Sequence, residues 1–157
     1  MRFDIRVAMF AVLGFAITVL PIGYFHEIGH KVICETYGGT AKVGPPTNTG
    51  IDAICLNSKS DVRLMRFFGG FFGTIGALSP LVVYTRFKTK PFYKGFLIAC
   101  LGQAVAEFPK SFLEAFYYDF YASETGGILF LALTLVGWVG FFLILGRKKA
   151  LSSTSDI

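Results

Sequence analysis

The stretch FHEIGH contains the residues of this chain that are best suited to chemistry. His26, Glu27 and His30 match the pattern H-E-x-x-H, and these are the only two histidines among the 157 residues. In a helix, positions i and i+4 lie on one face, so both imidazoles can bind one zinc ion. Glu27 would stand beside a zinc-activated water, whose pKa falls to about 7, and take its proton. The spacing therefore predicts amide-bond hydrolysis, with two zinc ligands and Glu27 as the general base.

Two histidines leave such a site incomplete, because a catalytic zinc ion normally has three protein ligands and one open position. The chain has no third histidine, so a carboxylate must supply the remaining ligand. The candidates lie in the third apolar segment or directly after it, and they are Glu107, Glu114 and Asp119.

Depth in the membrane favours the later of these carboxylates. The motif follows Arg6 by 20 to 24 residues, which is roughly 30–36 Å of helix. The third segment runs in the same direction and reaches the same depth near residues 114–118. Glu114 and Asp119 therefore both fit as the third ligand. Glu107 is the second alternate, because it would lie about one or two turns too deep.

The composition indicates an integral membrane protein with a single domain. Hydrophobic residues make up 54% of the chain, and the mean hydropathy is +0.59. Charged residues make up 16%, against roughly 25% in ordinary soluble domains. The net charge of +5 does not indicate nucleic-acid binding, because the basic residues flank apolar segments, as is typical of membrane topology. We expect one domain over residues 1–146 and a disordered polar tail over residues 147–157.

Four apolar segments are close to the ~20 residues that span a bilayer core. The first covers residues 7–25 and is expected to continue, with a bend at Pro21, to about Tyr37, where Gly38-Gly39 ends it. The others cover residues 67–85, 95–118 and 126–146. We therefore predict an all-α integral membrane protein with about four transmembrane helices, multi-pass in the cell membrane.

Between the first two helices, residues 40–62 contain several prolines and glycines beside short β-prone pieces. This composition predicts a small turn-rich hairpin at the membrane surface. The three cysteines are odd in number and lack a short spacing, which favours free thiols. Cys34 and Cys55 are able to pair in an oxidising compartment.

Two further patterns concern helix faces. Polar residues recur at spacings of four, four and three along the third segment, so they share one helical face: Gln103, Glu107, Ser111 and Glu114. In the second segment, Gly69 and Gly73 form a small-xxx-small pair that lets another helix approach closely. We interpret this glycine pair as a packing face.

The stretch FHEIGHKVICETYGG resembles the site-2 protease family of intramembrane zinc metalloproteases. In that family the zinc motif ends a membrane helix and a glycine follows, as Gly38-Gly39 do here. The family then has a β-rich surface segment and two more core helices, which residues 40–62, 67–85 and 95–118 would supply. The resemblance implies zinc as the cofactor, a transmembrane protein segment as the substrate and a lipid bilayer as the surroundings. The fourth helix would be an addition.

A second family motif is similar to N-x-x-P-x-x-x-L-D-G and has a counterpart in AEFPKSFLEA. Pro109, Leu113 and Glu114 stand at the positions of its Pro, Leu and ligand Asp. The resemblance therefore implies Glu114 as the third zinc ligand, with Asp119 as the first alternate, which is the usual acid but does not have the usual spacing. Ala106 replaces the Asn and Ala115 replaces the Gly. Without that Asn, a substrate would not be held by the route that is usual in the family.

The charge distribution and the family resemblance predict opposite orientations of the chain in the membrane. The side of the termini holds nine basic residues: Arg2, Arg6, Arg86, Lys88, Lys90, Lys94, Arg147, Lys148 and Lys149. The other side holds five: Lys31, Lys42, Lys59, Arg63 and Arg66. The positive-inside rule makes the first side cytoplasmic and would open the zinc site to the outside. The family resemblance implies the opposite, so orientation stays open at this point.

Two other functions compete with an intramembrane protease. One is a non-catalytic membrane protein that keeps a structural metal site or binds a partner helix through residues 69–76. The presence of Glu27 argues against a purely structural site, because such a site needs no glutamate between its histidines. The other is a membrane metalloprotease of a different family that uses Glu107 or Glu114 as a ligand and cleaves outside the bilayer.

Overall fold

The computed structural model describes residues 4–47 and 51–146. Its elements, in chain order, are helix α1 Ile5–Thr36, strands β1 Thr40–Val43 and β2 Ala53–Leu56, helix α2 Val62–Leu78, a 3-10 turn Ser79–Val83, the short helix α3 Tyr84–Phe87, helix α4 Pro91–Phe116, the short helix α5 Tyr118–Tyr121 and helix α6 Glu124–Leu145. The polar tail predicted over residues 147–157 lies outside the described residues.

Within the described parts of the chain, four helical stretches are long and apolar enough to cross a membrane, as predicted: Ile5–Thr36, Val62–Phe87, Pro91–Phe116 and Glu124–Leu145. Large apolar side chains stand exposed on the outside of the bundle, among them Met9, Val12, Ile17, Leu131, Val136 and Val139. So large an apolar surface is typical of contact with lipid and not with water. The chain is therefore a multi-pass, all-α membrane protein with a small sheet.

Helix α1 begins after a capping residue and ends just before a glycine. The Asp4 side chain accepts a hydrogen bond from the Arg6 amide and caps the first turn. The helix continues through Pro21 and ends before Gly38, whose φ of +78° lies in the left-handed region that favours glycine. The Gly39 N–H then donates to the Cys34 carbonyl over 2.9 Å. The predicted end of the first helix is confirmed.

The hairpin predicted within residues 40–62 is also confirmed. Strands β1 and β2 pair antiparallel, with Ala41 opposite Cys55 and Val43 opposite Ala53. Cys34 in the last turns of α1 forms a disulfide with Cys55, and their Cα atoms are 5.9 Å apart. The expectation of free thiols is wrong for this pair, because the turn after α1 folds the hairpin back over Cys34. Cys100 is free and buried.

Helix α2 lies between α1 and α4 and approaches both through glycines. A Cβ atom added at Gly29 of α1 would lie 2.2 Å from the Phe68 carbonyl oxygen, and one at Gly70 would lie 2.5 Å from the Ser111 nitrogen. The buried residues of α2 are almost all glycine: Gly69, Gly70, Gly73, Gly76 and Ala77. The packing interpretation of this stripe is confirmed. The glycines of residues 69–76 are covered by helices of the same chain.

Helix α6 packs mainly on α4, outside the group formed by α1, α2 and α4. Trp138 of α6 lies against Gly102, where an added Cβ would come within 2.3 Å of its ring, and it also meets Phe15 of α1 edge to face. The three helices α1, α2 and α4 thus form the core that positions the candidate site, and α6 covers one side of it.

Candidate metal centre

The two histidines lie in the last third of α1, at the end of the bundle that carries the hairpin. His26 and His30 are one helical turn apart, both are buried, and their ring centroids are 5.0 Å apart. Buried histidines in a membrane helix are costly unless other groups satisfy their ring nitrogens. Here α4 and α2 provide those groups.

The Glu114 carboxylate of α4 contacts both imidazoles on the same side. Its Oε2 atom lies 3.1 Å from Nε2 of His26, and its Oε1 atom lies 3.3 Å from Nε2 of His30. Zinc–ligand bonds of 2.0–2.2 Å in a tetrahedron separate neighbouring ligand atoms by about 3.3 Å. The donor types of the three side chains, and the distances from Glu114 to each imidazole, therefore fit one tetrahedral zinc ion with a fourth position open.

The second ring nitrogen of each histidine, Nδ1, contacts an oxygen atom that lies outside the three proposed ligands. Nδ1 of His26 lies 3.0 Å from Oε2 of Glu107, and Nδ1 of His30 lies 2.9 Å from the Met65 carbonyl oxygen. Metal-binding histidines usually donate their second ring N–H to a carboxylate or a backbone carbonyl. These contacts fix both rings with Nε2 directed towards Glu114.

The two alternate ligands lie elsewhere. Glu107 is two turns before Glu114 on the same face of α4, so it reaches the far nitrogen of His26 and pairs with Lys110. The depth estimate had put Glu107 about one or two turns too deep for the third ligand, and Glu107 indeed contacts the outer nitrogen of His26 and not Nε2. Asp119 is exposed on α5 and lines a different cavity, beside Arg63 and Arg66.

Glu27 stands on the neighbouring face of α1, half-buried and beside the hairpin. The ligand atoms of His26, Glu27 and His30 all lie within 4.8 Å of one another. The backbone N–H of Ala53 in β2 donates a hydrogen bond to the Glu27 carboxylate. Glu27 is thus held next to the histidines without occupying the position between their Nε2 atoms, which Glu114 takes.

A cavity of about 500 Å³ gives access to these groups from the hairpin end of the bundle. Its walls come from α1, the hairpin, α2, α4 and α5, and the lining residues are Gly23, His26, Glu27, His30, Ile51, Asp52, Ala53, Met65, Arg66, Glu107, Lys110, Glu114, Tyr118 and Tyr121.

The predicted polar face of α4 is confirmed, since Gln103, Glu107, Ser111 and Glu114 are all buried.

Three hydrogen-bond donors of this cavity were not anticipated from the sequence. Arg66 lies 3.5 Å from the centre of the Tyr118 ring, and Lys110 pairs with Glu107 at 2.5 Å. Burial, reinforced by the charge of Glu114, raises the pKa of the Tyr121 phenol, so its O–H remains a donor. In the sequence, Tyr121 falls in a tyrosine-rich stretch with Tyr117 and Tyr118 just after α4, and this stretch is the one local signal for it.

The backbone of α2 packs directly against the two imidazoles. A Cβ atom added at Gly69 would lie 2.4 Å from Nε2 of His30 and 2.9 Å from Nε2 of His26. Any side chain at position 69 would therefore enter the space in which the two imidazoles converge. The stretch GGFFG was the signal for this contact, although the sequence did not show which residues it would meet.

Comparisons of this chain with protein-family models, with curated proteins and with solved structures found no match.

Proposed function

We propose that this protein is an intramembrane zinc metalloprotease, as its resemblance to site-2 proteases implies. His26, His30 and Glu114 would hold the zinc ion, and Glu27 would act as the general base. The observation that carries the proposal is the contact of one buried carboxylate with Nε2 of both motif histidines, at 3.1 and 3.3 Å.

The surroundings of these ligands support a metal site over a chance cluster. Glu107 and the Met65 carbonyl occupy the outer nitrogens of the two rings, which keeps both Nε2 atoms available for a ligand on the Glu114 side. All three ligand side chains are buried, so solvent competes weakly for them.

The position of Glu27 supports a hydrolytic role. When bound, zinc would act as a Lewis acid and activate water for attack on a peptide carbonyl. Glu27 lies within reach of that region and opens onto the same cavity, so its carboxylate can take the proton of the attacking water and deliver it to the leaving amine. Hydrolysis then breaks the peptide C–N bond and yields a carboxylate and an amine.

The cavity would hold a substrate through side chains different from those of the resembling family. Ala106 is buried and apolar where the resembling family has Asn, so that amide is not available. Arg66, Lys110 and Tyr121 supply donors around the cavity instead. A transmembrane helix has its peptide groups hydrogen-bonded and shielded, so the substrate segment would have to unwind locally before its backbone entered.

The test is the zinc content of the purified full chain in detergent, under conditions that preserve bound metal. We expect about one zinc per chain in the wild type, as one three-ligand site requires, and loss of zinc in His26→Ala and in Glu114→Gln. Asp119→Asn is the matched control, since it also removes one carboxylate, and it should retain zinc. A wild-type protein without zinc, or zinc lost with Asp119→Asn and kept with Glu114→Gln, would overturn the assigned ligand set.

Replacing Glu107 should weaken zinc binding without abolishing it, because Glu107 orients the His26 ring and is not itself a ligand. For Glu107→Ala we expect a loss of about 10- to 100-fold in zinc affinity, the usual effect of removing such a partner. Glu107→Gln should recover most of the affinity, since its amide oxygen accepts the same bond from Nδ1. Competition with a chromophoric chelator measures both, and equal affinities for the Ala and Gln variants would contradict this role.

A further inference from the structure

We infer that the cavity opens on the non-cytoplasmic, oxidising side of the membrane, and that the enzyme cleaves membrane-anchored polypeptides near the end that faces away from the cytoplasm. The part about the substrate rests on the proposed function, whereas the part about topology does not. Two independent features of the chain carry the topology.

The first feature is the disulfide at the cavity end of the bundle. Cys34 lies one turn after His30 in α1 and is fully buried, and it is bonded to Cys55 of β2. Ala53, two residues before Cys55, lines the cavity and contacts Glu27. Disulfides form and persist in oxidising compartments and are rare where thiols are kept reduced. The hairpin and the mouth of the cavity are therefore expected on the oxidising side.

The second feature is the distribution of basic residues between the two ends of the bundle. The hydrogen bond from the Asp4 amide to the Gly146 carbonyl, 3.1 Å long, brings the start of α1 and the end of α6 together. Arg6, Lys88 and Lys94 line one cavity at that end. In the sequence, this side holds nine lysines and arginines against five on the hairpin side. The positive-inside rule makes the end with the termini cytoplasmic, in agreement with the disulfide.

Lys110 does not alter this balance. It lies within α4, and its ammonium group pairs with Glu107 inside the bundle at 2.5 Å. The positive-inside rule concerns basic residues in loops and at the ends of membrane helices. A lysine that pairs with a carboxylate within the bundle therefore does not count towards the charge of either side.

This topology is the reverse of the one that the resemblance to site-2 proteases implies. With the cavity on the outer side, its peptide substrate enters from the non-cytoplasmic membrane surface, past the hairpin. A substrate would then be cut near the outer end of its transmembrane segment. Cleavage would separate an outer domain from its anchor and would not release a fragment to the cytoplasm.

The test labels single introduced cysteines in intact bacterial cells that express the full chain, using a membrane-impermeant maleimide. Lys59→Cys lies between the hairpin and α2, and Lys88→Cys lies in the loop before α4; both positions are exposed. Each variant loses one lysine from its own side, so the sign of the charge bias is unchanged. The wild type reports the background from the buried Cys100.

We expect Lys59→Cys to react in intact cells and Lys88→Cys to react only after permeabilisation. In the denatured wild type, we also expect one reactive thiol before reduction and three after it, as one disulfide and one free cysteine require. Reaction of Lys88→Cys from outside, equal reaction at both positions, or three reactive thiols before reduction would overturn the inference.

These outcomes are separate from those of the proposed function. A reversed labelling pattern in a protein that binds zinc would refute the topology and leave the metalloprotease standing. The expected labelling pattern in a protein without zinc would retain the topology and refute the enzyme.

Discussion

Glu27→Gln should leave about one zinc per chain, as one three-ligand site requires, while the rate of peptide-bond hydrolysis falls by a factor of about 10²–10⁴. The amide is similar in size to the carboxylate but cannot accept a proton from water at neutral pH. Glu27 is not in the position between the histidine Nε2 atoms, which Glu114 occupies, so the ligands stay in place. Zinc analysis and hydrolysis of labelled casein, an unstructured polypeptide that needs no unwinding, measure the two effects in one preparation.

Glu35→Gln is the matched control for this experiment. Glu35 lies on the same helix, is exposed, and pairs with Lys31 at 3.6 Å outside the cavity. The same substitution there should change neither zinc content nor rate. A Glu27→Gln protein that binds zinc and hydrolyses casein at the wild-type rate would show that Glu27 is not the base. A joint loss of zinc and rate would instead assign Glu27 to the ligand set.

Gly69→Ala should weaken zinc binding although it changes no ligand. The new methyl group would lie 2.3 to 2.4 Å from atoms of the His30 ring, well inside contact distance. Overpacking of this kind typically costs 1–3 kcal/mol, which corresponds to a loss of about 5- to 150-fold in affinity. Helix α2 cannot easily move away, because Gly29 and Gly70 hold it against α1 and α4 at backbone distance. Chelator competition on the purified variant measures the effect.

Two glycine controls separate a change at the site from a general loss of stability. An added Cβ at Gly76 would meet the Phe25 ring at 2.7 Å, so Gly76→Ala should overpack α2 without contacting the histidine nitrogens. Gly127 has nothing within 4 Å, and Gly127→Ala should be silent. If Gly69→Ala keeps wild-type affinity, or if Gly76→Ala loses as much affinity as Gly69→Ala, the proximity of Gly69 to the imidazoles does not control metal binding.

The membrane helices could be predicted because length and the absence of charge are local properties. The predicted end of α1 at Gly38 was right, because a left-handed turn at a helix end favours glycine. The predicted starts were less accurate. The second and third helices begin earlier than the uncharged runs do, at Val62 and Pro91, because Asp61 caps α2 and a proline opens α4.

The candidate site could be predicted in part for the same reason. The spacing of His26 and His30 depends only on helical periodicity, and so does the polar face that contains Glu107 and Glu114. Depth along parallel helices left Glu114 and Asp119 as candidates, and the resemblance to the second family motif favoured Glu114. The structure brings the Glu114 carboxylate to both imidazoles. The role of Glu107 could not be predicted, since it depends on how α4 is rotated about its axis relative to α1.

The sequence by itself determined the number of membrane helices, the hairpin between the first two, and the side chains that share each helical face. These features follow from composition and from periodicities of a few residues. Only the tertiary structure decided that Glu107 holds the outer nitrogen of His26, that Cys34 pairs with Cys55, and that Gly69 abuts the imidazoles. Each of these contacts joins residues far apart in the chain, so it depends on the distance and rotation at which helices pack, which no local pattern encodes.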